Sequence, residues 1–470
     1  MTPEELRARI DTFVILMLEN RSFDHMLGYL SLPAFGARDD VDGLSALDNP
    51  DYANPRGNAR IAYPFIAPND DPLTNDLPHE RQEVAQQLAY AGAAGGYVMN
   101  GFVKSYEQYT ATTGIPEPPP MRVLTPPLIP VTSFLADEYM VCDHWHAPLP
   151  TSTHPNRLMA LSGTSLLDKT PGTLLPDHDL VFDWLDRRDI RWRVYSSGLS
   201  LFMLMPKMWP WLLTDRFRSV SRLAYDVQHE SQDSFPQVII VEPDYHDSPV
   251  HLSGHGNDNH PPLPVSFGEI FVKAVYEALT SNPARWAKTL LTLHYDEHGG
   301  FFDHVPPLRV PLPPPPGADF KMGPFETTGP RVPALLISPY APRRTVAHGF
   351  YDHTSVLQML ADRFDNSGAP YSDAVEARRQ AADPIGSVTE ALSPVARADI
   401  PRLSDQPIAG TAPLVSVRAP QTDSQRSFAV AAGAFASARG QDALQKYPQI
   451  AHWLAAAPAG SAGTPSGEQG

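Results

Sequence analysis

Acidic and amide side chains directly follow two apolar segments of this sequence. Residues 13–18 (FVILML) are followed by Glu19 and Asn20, and residues 289–295 (TLLTLHY) are followed by Asp296 and Glu297. If both segments are strands of an open α/β sheet, these polar side chains converge at the edge where such sheets bind ligands. Three carboxylates and one amide oxygen would suit a hard divalent cation. The alternative interpretation is that Glu19 and Asp296 only cap helices.

Three consecutive hydroxyl side chains are a second candidate for chemistry. Thr151, Ser152 and Thr153 precede His154 and Pro155. Proline suits the first turn of a helix, and a helix N-terminus favours anions such as phosphate. A hydroxyl at this position is a reasonable nucleophile when a cation lowers its pKa. An ordinary Thr or Ser cap of the helix is the alternative.

Three histidines lie in polar surroundings that also suit phosphate chemistry. His79 follows Asp76 by three residues, His260 lies in NDNHPP, and His353 lies in YDHT. Each has the chemistry to bind phosphate oxygens or to protonate a leaving group. Because the chain has 17 histidines, a surface or packed position is the alternative for any single one.

The elements that must position these residues alternate along the chain. Apolar segments predict strands at residues 13–18, 237–241, 289–295 and 333–338. Residues 266–279 read as a helix that begins with a capping box of Ser266 and Glu269, and Thr354–Phe364 reads as another helix. Strands that alternate with helices predict a three-layer α/β architecture with a mainly parallel sheet.

Proline and composition set the domain boundaries. Residues 115–130 and 306–316 are too proline-rich for a helix or a central strand, so we expect long surface loops at the rim of a site. Strand patterns fade after about residue 380. We predict a catalytic domain over residues 1–380, a peripheral, partly helical extension over 381–456, and a disordered tail over 457–470.

Composition excludes several classes of partner. The formal net charge of -17, without a cluster of Lys and Arg, argues against nucleic acid and against more than peripheral membrane contact. The single cysteine, Cys142, excludes an intrachain disulfide; it reads as a buried small side chain, with metal binding as the alternative. Residues 13–18 are too short for a membrane span and show no cleavage site. We therefore expect a cytoplasmic protein, with secretion by a non-cleaved route as the alternative.

Four motifs, in the same order along the chain, resemble one known family of phosphoesterases. They are ENRSFDH at 19–25, THPNR at 153–157, NDNHPP at 257–262 and DEHGGFFDHVPP at 296–307. The family includes bacterial non-haemolytic phospholipase C, plant non-specific phospholipase C and a burst-inhibiting acid phosphatase, and the resemblance covers roughly residues 10–365. It implies an alkaline-phosphatase-like core.

The resemblance also implies roles for individual residues. It assigns one divalent metal ion, of uncertain identity among Ca²⁺, Mg²⁺, Mn²⁺ and Zn²⁺, to Glu19, Asn20, Asp296 and Glu297. Thr153 falls at the position of the nucleophile, where relatives carry Ser or Thr. His79 and His260 would contact the phosphoryl group as catalytic residues. His304, His353 and Asn156 would bind substrate.

Two activities are compatible with such a site. We predict a phospholipase C that hydrolyses glycerophospholipids to diacylglycerol and a phosphorylated head group through a phosphothreonine-type intermediate. An acid-phosphatase-type phosphomonoesterase is the alternative, and a binding protein without catalysis is a third class. Residues 201–213 (LFMLMPKMWPWLL) favour lipid contact if they form a lid, although a segment buried against the sheet explains them equally.

Overall fold

An eight-stranded sheet forms the centre of the computed structural model, which describes residues 1–57, 60–404, 408, 416–417 and 419–456. In chain order the strands are β1 (Thr12–Leu18), β2 (Met140–Cys142), β3 (Trp192–Ser196), β4 (Phe217–Ser219), β5 (Val238–Glu242), β6 (Thr289–Tyr295), β7 (Ala334–Ile337) and β8 (Thr345–Ala347). Their order across the sheet is β8-β2-β7-β6-β1-β5-β3-β4. Strand β7 runs antiparallel to both of its neighbours, and the remaining pairs are parallel. The mainly parallel sheet predicted from the sequence is therefore confirmed.

The four predicted strands are the four central strands of this sheet, β7-β6-β1-β5, and the other four flank them. Every residue of β6 is buried, as expected for a strand covered on both faces. Strand β1 pairs with β6 in a register that places Leu18 opposite Tyr295. Because both strands end at this level, the residues that follow them leave the sheet side by side. The sequence did not predict the short strands β2, β4 and β8 or the strand β3.

Helices cover both faces of the sheet, which gives the predicted three layers. Helix Thr153–Ser162 packs against Thr354–Phe364, which packs against Pro3–Arg9. Helix Ser266–Thr280 packs against Pro130–Glu138 and Leu223–His229. The other α-helices are Phe23–Met26, Arg81–Leu88, Phe102–Thr110, Val181–Asp186, Trp209–Leu212, Pro283–Trp286, Asp373–Arg379, Val388–Ala391, Asp423–Lys446 and Pro448–Ala456.

The predicted capping box of helix Ser266–Thr280 is wrong. The N-cap residue is Val265, and the carboxylate of Asp70 accepts hydrogen bonds from the backbone N–H groups of Val265 and Ser266, both at 2.9 Å. The carboxylate of Glu269 instead caps the neighbouring helix Pro130–Glu138, because Val131 and Thr132 donate to it at 2.6 and 3.0 Å. A capping pattern in sequence does not distinguish a local partner from a distant carboxylate.

The proline-rich segments are mostly irregular, as predicted, but they are not wholly exposed. Leu124 and Ile129 in the first segment and Val310 in the second are buried. Cys142 lies in β2 and is buried without a disulfide partner. No helix among the described residues is long and apolar enough to cross a membrane.

The chain beyond residue 380 packs onto the part that carries the sheet. Helix Asp423–Lys446 contacts the turn Leu201–Leu204, and its Phe435 ring lies 5.8 Å from the ring of Trp209. Residues 201–205, 208 and 212 are buried, and Trp211 is 36% exposed. The apolar segment 201–213 is therefore largely a packed layer beneath this helix rather than an open lid. The predicted tail, 457–470, lies outside the described residues.

Candidate active site

The turns after β1 and β6 hold each other in place. Asp296 and Arg21 donate backbone hydrogen bonds to Leu18 and Glu297, respectively, both at 3.1 Å. Asn20 has a φ of 60°, a conformation that asparagine adopts more readily than most residues. Gly299 has a φ of 62°, and a Cβ there would lie 2.1 Å from the carbonyl oxygen of Asn20. The two turns approach this closely because position 299 is glycine.

The four predicted metal ligands each keep one buried oxygen without a hydrogen-bond partner among the described residues. These atoms are Glu19 Oε2, Asn20 Oδ1, Asp296 Oδ2 and Glu297 Oε1. The other oxygen of each carboxylate is held: Glu19 Oε1 by Arg157 at 2.9 Å, Asp296 Oδ1 by the N–H groups of Asn20 and Glu297 at 3.0 and 2.7 Å, and Glu297 Oε2 by the N–H of Gly299 at 2.7 Å. A buried acceptor without a partner is costly. Four of them at one sheet edge fit a hard cation, and neither Glu19 nor Asp296 caps a helix.

The carboxylates do not all meet at one point. Among the described residues, acidic or histidine ligand atoms come within 4.8 Å of one another in three groups: Asp76–His79–His260, Glu19–Asp247–His260 and Asp24–Asp303–His304. Glu19 belongs to the second group, whereas Asp296 and Glu297 belong to none. The structure therefore brings the predicted ligands to one sheet edge without drawing their carboxylate oxygens into a single such group.

Burial and mutual repulsion perturb these carboxylates. Burial raises the pKa of Glu19 well above its usual value, against the nearby charge of Arg157. Burial also raises the pKa of Asp296 to about 6, and the adjacent charge of Glu297 adds to the rise. Groups with strongly perturbed pKa values cluster at functional sites, which makes these carboxylates candidates for one.

Of the three hydroxyls at the start of helix Thr153–Ser162, only that of Thr153 lacks a hydrogen-bond partner among the described residues. Thr151 donates to the carbonyl of Asp168 at 2.8 Å, and Ser152 donates to Glu80 Oε2 at 2.9 Å. Thr153 is 3% exposed and lines a cavity of about 250 Å³. Hydrogen bonding thus distinguishes Thr153 from its two neighbours.

Asn156 fixes the loop that carries these hydroxyls. Its Oδ1 accepts from Leu149 N–H at 2.9 Å, and its Nδ2 donates to the carbonyls of Leu149, Thr151 and Ser152 at 2.9–3.2 Å. The amide is fully buried. All of these contacts are internal, so the structure gives Asn156 a role in holding Thr153 rather than a free group to offer a substrate.

His79 and His260 lie together at the floor of the same cavity. Nδ1–H of His79 donates to the carbonyl of Leu77 at 2.7 Å, and Nδ1–H of His260 donates to that of Pro261. Both Nε2 atoms therefore face the Asn20 amide nitrogen, at 3.3 and 3.1 Å. Neutral rings accept a hydrogen bond from this amide, whereas charged rings would donate to an oxygen.

Nearby carboxylates favour the charged form of both rings. Burial alone lowers the pKa of His79, but the charges of Glu297 and Asp76 outweigh it and raise the pKa to about 9. Burial is likewise outweighed at His260, where Asp76 and Asp247 raise the pKa to about 10. Asp76 and Asp247 were not predicted as site residues; the only signal for Asp76 is its position three residues before His79.

His353 and His304 lie outside this cavity. His353 is locked, because its Nε2–H donates to the carbonyl of Asp296 at 2.7 Å and its Nδ1 accepts from Trp145 at 3.1 Å. His304 donates from both ring nitrogens, to Asp24 at 2.7 Å and to Asp42 at 3.3 Å. Neither ring presents a free nitrogen to a substrate in this structure.

Arg157 is a further residue of the site that sequence reasoning did not single out, although it ends the THPNR motif. It is 4% exposed, it binds Glu19 at 2.9 Å, and its Nε lies 3.7 Å from Asp296 Oδ2. Its guanidinium lies over the ring of Tyr245, at 4.9 Å, and donates to its hydroxyl. Arg157 thus links the helix of Thr153 to both strand ends.

Known proteins are similar to this chain over most of its length. A profile of the phosphoesterase family matches residues 10–367. Non-specific phospholipase C3 of Arabidopsis thaliana is 32% identical over 382 residues, which cover 76% of this chain and 70% of that protein. Phospholipase C A of Mycobacterium tuberculosis is 32% identical over 405 residues, covering 76% of this chain and 73% of that protein. Among solved structures, an alkaline phosphatase superfamily protein from Vibrio parahaemolyticus aligns with a TM-score of 0.29 and 10% identity, over 50% of this chain and 60% of that one.

Proposed function

This chain belongs to the phosphoesterase family and is a hydrolase of phosphoric ester bonds; from this premise we propose that it is a phospholipase C with Thr153 as its nucleophile. The observation that carries the proposal is the hydroxyl of the buried residue Thr153, which has no hydrogen-bond partner among the described residues and lines a cavity together with His79 and His260. The names of the relatives support glycerophospholipids as substrates.

The proposed reaction has two displacements at phosphorus. Oγ of Thr153 attacks the phosphorus in line, and the bond to the glycerol oxygen breaks. His260 or His79, whose charged forms the nearby carboxylates favour, gives its proton to the departing diacylglycerol oxygen. Water then cleaves the phosphothreonine bond and releases the phosphorylated head group. The head group stays on phosphorus throughout both steps.

We propose that one divalent cation binds at Glu19, Asn20, Asp296 and Glu297. Their unpartnered oxygens support this assignment, and oxygen donors of this kind accept Ca²⁺, Mg²⁺, Mn²⁺ and also Zn²⁺. When bound, such an ion would stabilise negative charge on phosphoryl oxygens and favour the ionised hydroxyl. Arg157 holds Glu19 and lies beside Asp296, and Asn156 orders the loop before Thr153.

Product analysis tests this proposal. Metal-replete protein is incubated with phosphatidylcholine micelles and, separately, with a soluble phosphomonoester. Diacylglycerol and phosphocholine are the expected products, and Thr153→Ala should reduce their formation by about 10³-fold or more, because the nucleophile is lost. Release of inorganic phosphate from the monoester alone would instead identify a phosphomonoesterase.

A neighbouring hydroxyl gives the matched control. Thr151→Val removes the hydrogen bond to Asp168 and should lower stability, but turnover per folded molecule should remain near that of the unaltered protein. Normal turnover in Thr153→Ala, or equal losses in both variants, would contradict the assignment of the nucleophile.

A further inference from the structure

Arg157 lies between the strand-end carboxylates and two further buried residues, Glu242 and Tyr245. Strand β5 ends at Glu242 and pairs in parallel with β1, which ends just before Glu19. Glu242 is therefore at the same edge of the sheet as the proposed metal ligands, and Tyr245 follows it by three residues. The proposed reaction uses neither of these two residues.

The hydrogen bonds that join these residues have a fixed direction. A guanidinium can only donate, so Nη1 of Arg157 donates to the hydroxyl of Tyr245 at 3.2 Å. That hydroxyl has a single proton, which it donates to Glu242 Oε1 at 3.3 Å. The backbone N–H of Leu201 donates to the same carboxylate oxygen at 2.9 Å. Glu242 therefore anchors Tyr245, and Tyr245 anchors Arg157.

The other nitrogens of Arg157 face the proposed metal ligands. Nη2 donates to Glu19 Oε1 at 2.9 Å, and Nε lies 3.7 Å from Asp296 Oδ2. Because a guanidinium is planar and rigid, the contact of Nη1 with Tyr245 also sets the directions of Nη2 and Nε. In this orientation Arg157 occupies one oxygen of Glu19, and Glu19 Oε2 and Asp296 Oδ2 have no hydrogen-bond partner among the described residues.

Loss of the contact with Tyr245 would favour a different orientation of Arg157. The charges of Glu19 and Asp296 attract the guanidinium in any orientation, and 3.7 Å is too long for a hydrogen bond. Without its anchor, the guanidinium would be free to turn and donate to Asp296 Oδ2. That oxygen is one of those assigned to the divalent cation, so Arg157 would then compete with the metal ion for it.

Resting on the proposed function and its metal site, we infer that Glu242 and Tyr245 are positioning residues for the metal ligands. They hold Arg157 on Glu19 and thereby keep Asp296 Oδ2 available for the ion. Residues that orient metal ligands from behind commonly change metal affinity or activity by about 10- to 100-fold when they are replaced.

The test measures metal affinity directly. Chelator-treated full-length protein is titrated by calorimetry with Ca²⁺, Mg²⁺, Mn²⁺ and Zn²⁺, and the ion that the unaltered protein binds most tightly is used for every variant. Tyr245→Phe keeps the ring beneath Arg157 but removes the hydroxyl, so the Kd for this ion should rise about tenfold. Turnover of a soluble ester should fall at limiting metal and recover in excess metal, because Arg157 competes with the ion.

Two substitutions at Glu242 separate the hydrogen bond from the charge. Glu242→Gln retains an oxygen that accepts from Tyr245, so the metal Kd should stay within about threefold of the unaltered value. Glu242→Leu removes the acceptor and should raise the Kd as much as Tyr245→Phe does. If Glu242→Leu does not fold, Tyr245→Phe decides the inference.

Tyr276→Phe is the matched control. Tyr276 is as buried as Tyr245, and its hydroxyl also has two partners, the hydroxyl of Tyr139 at 2.8 Å and the carbonyl of Pro401 at 2.6 Å. Neither partner belongs to the candidate site. Both variants should be less stable than the unaltered protein, but only Tyr245→Phe should change the metal Kd. An unchanged Kd in Tyr245→Phe, or an equal change in both variants, would overturn the inference.

The failure of this inference and that of the proposed function are distinguishable. If the unaltered protein binds a metal ion and hydrolyses phospholipid, and Tyr245→Phe does so with the same Kd, only the positioning inference is overturned. If the unaltered protein binds none of the four ions, the proposed metal site and this inference are overturned together.

Discussion

Two buried charged clusters are built from the same two sequence motifs, and they differ in whether their polar atoms are satisfied. Residues 19–20 and 296–297, which begin the motifs, form the strand-end cluster with four unpartnered oxygens. Asp24, Asp303 and His304, which lie later in the same motifs, form with Arg331 a second group, called here the arginine cluster. In that cluster Arg331 donates to Asp303 at 2.9 Å and to Asp24 at 3.2 Å, and His304 donates to Asp24 at 2.7 Å.

The strand-end cluster leaves oxygen atoms available for a ligand, whereas the arginine cluster satisfies its own charges and stabilises the fold. In the arginine cluster each carboxylate oxygen of Asp24 and Asp303 has a protein donor. In the strand-end cluster one oxygen of each carboxylate is held, whereas its other oxygen and the amide oxygen of Asn20 have no hydrogen-bond partner among the described residues. Because the clusters are joined by short stretches of chain, the satisfied cluster holds the turns that present the unsatisfied one.

Breaking the arginine cluster should give the largest effect on stability. Arg331→Met leaves Asp24 and Asp303 as buried charges without their cation, and such a loss costs about 3–5 kcal/mol. Urea unfolding monitored by circular dichroism measures it. Arg343→Met is the matched control, because that side chain is 65% exposed in its pair with Glu138 and should cost less than about 1 kcal/mol. Similar losses in both variants would contradict the distinction.

Neutralising one carboxylate in each cluster should have opposite effects on turnover and on stability. Asp296→Asn should lower turnover by about 10²–10³-fold, because a proposed ligand of the cation that would stabilise charge on the phosphoryl oxygens is lost. It should lower bound metal as well, while stability stays unchanged or rises, since a buried oxygen without a partner loses its charge. Metal analysis, turnover and unfolding are measured on the same preparations.

The matched variant in the arginine cluster is Asp303→Asn. It should destabilise the protein by leaving Arg331 poorly paired, with turnover per folded molecule nearly retained. A stability loss in Asp296→Asn as large as in Asp303→Asn would show that both clusters are structural.

His353 tests whether a residue predicted to bind substrate is structural when both of its ring nitrogens are hydrogen-bonded within the protein. His353→Leu removes the partner of the Asp296 carbonyl and of the Trp145 N–H, so the free energy of unfolding should fall by about 1–3 kcal/mol. The KM for a soluble ester should stay nearly constant, because the ring has no free nitrogen for substrate. A tenfold rise in KM without loss of stability would restore the predicted role in substrate binding.

Sequence reasoning located the strand ends because their signal is local. Apolar runs that end in Glu19 and Asp296 predict both the strands and the shared edge, and the register of β1 and β6 agrees. The sequence motifs assign His79 to the phosphoryl group and His353 to substrate binding, but they do not show which ring nitrogens are hydrogen-bonded within the protein. In the structure His79 donates to the carbonyl of Leu77 through one ring nitrogen, whereas His353 uses both, since it donates to the carbonyl of Asp296 and accepts from Trp145.

The other features that the sequence does not predict depend on contacts between distant parts of the chain. Helix Asp423–Lys446 reads in sequence as a peripheral element, and its contact with the turn Leu201–Leu204 becomes visible only in the folded structure. The sequence alone assigns no role to Arg157, because an arginine in a motif can either form an ion pair or lie at the surface. Its two carboxylate partners lie 138 and 139 positions away in the chain.

The smallest expected effect is a dependence of stability on pH that arises in the arginine cluster. Burial lowers the pKa of His304, but the charge of Asp24 and the hydrogen bonds to Asp24 and Asp42 outweigh it and raise the pKa to about 10. This folded value lies above the value near 6.5 of an unfolded histidine. The proton is therefore bound more tightly in the folded state, and the stabilisation is full below about pH 6.5 and is lost as the pH rises through 10.

Comparison with His304→Gln isolates this effect, because all other titrating groups are shared. The unaltered protein should exceed the variant in unfolding free energy by about 1 kcal/mol at pH 6, the scale of a partly exposed ion pair. The difference should shrink steadily in urea unfolding experiments between pH 7 and pH 10.5. A difference that grows with pH would mean that the ring is neutral in the folded protein. His304 would then present a free nitrogen lone pair, and the arginine cluster would share the unsatisfied character of the strand ends.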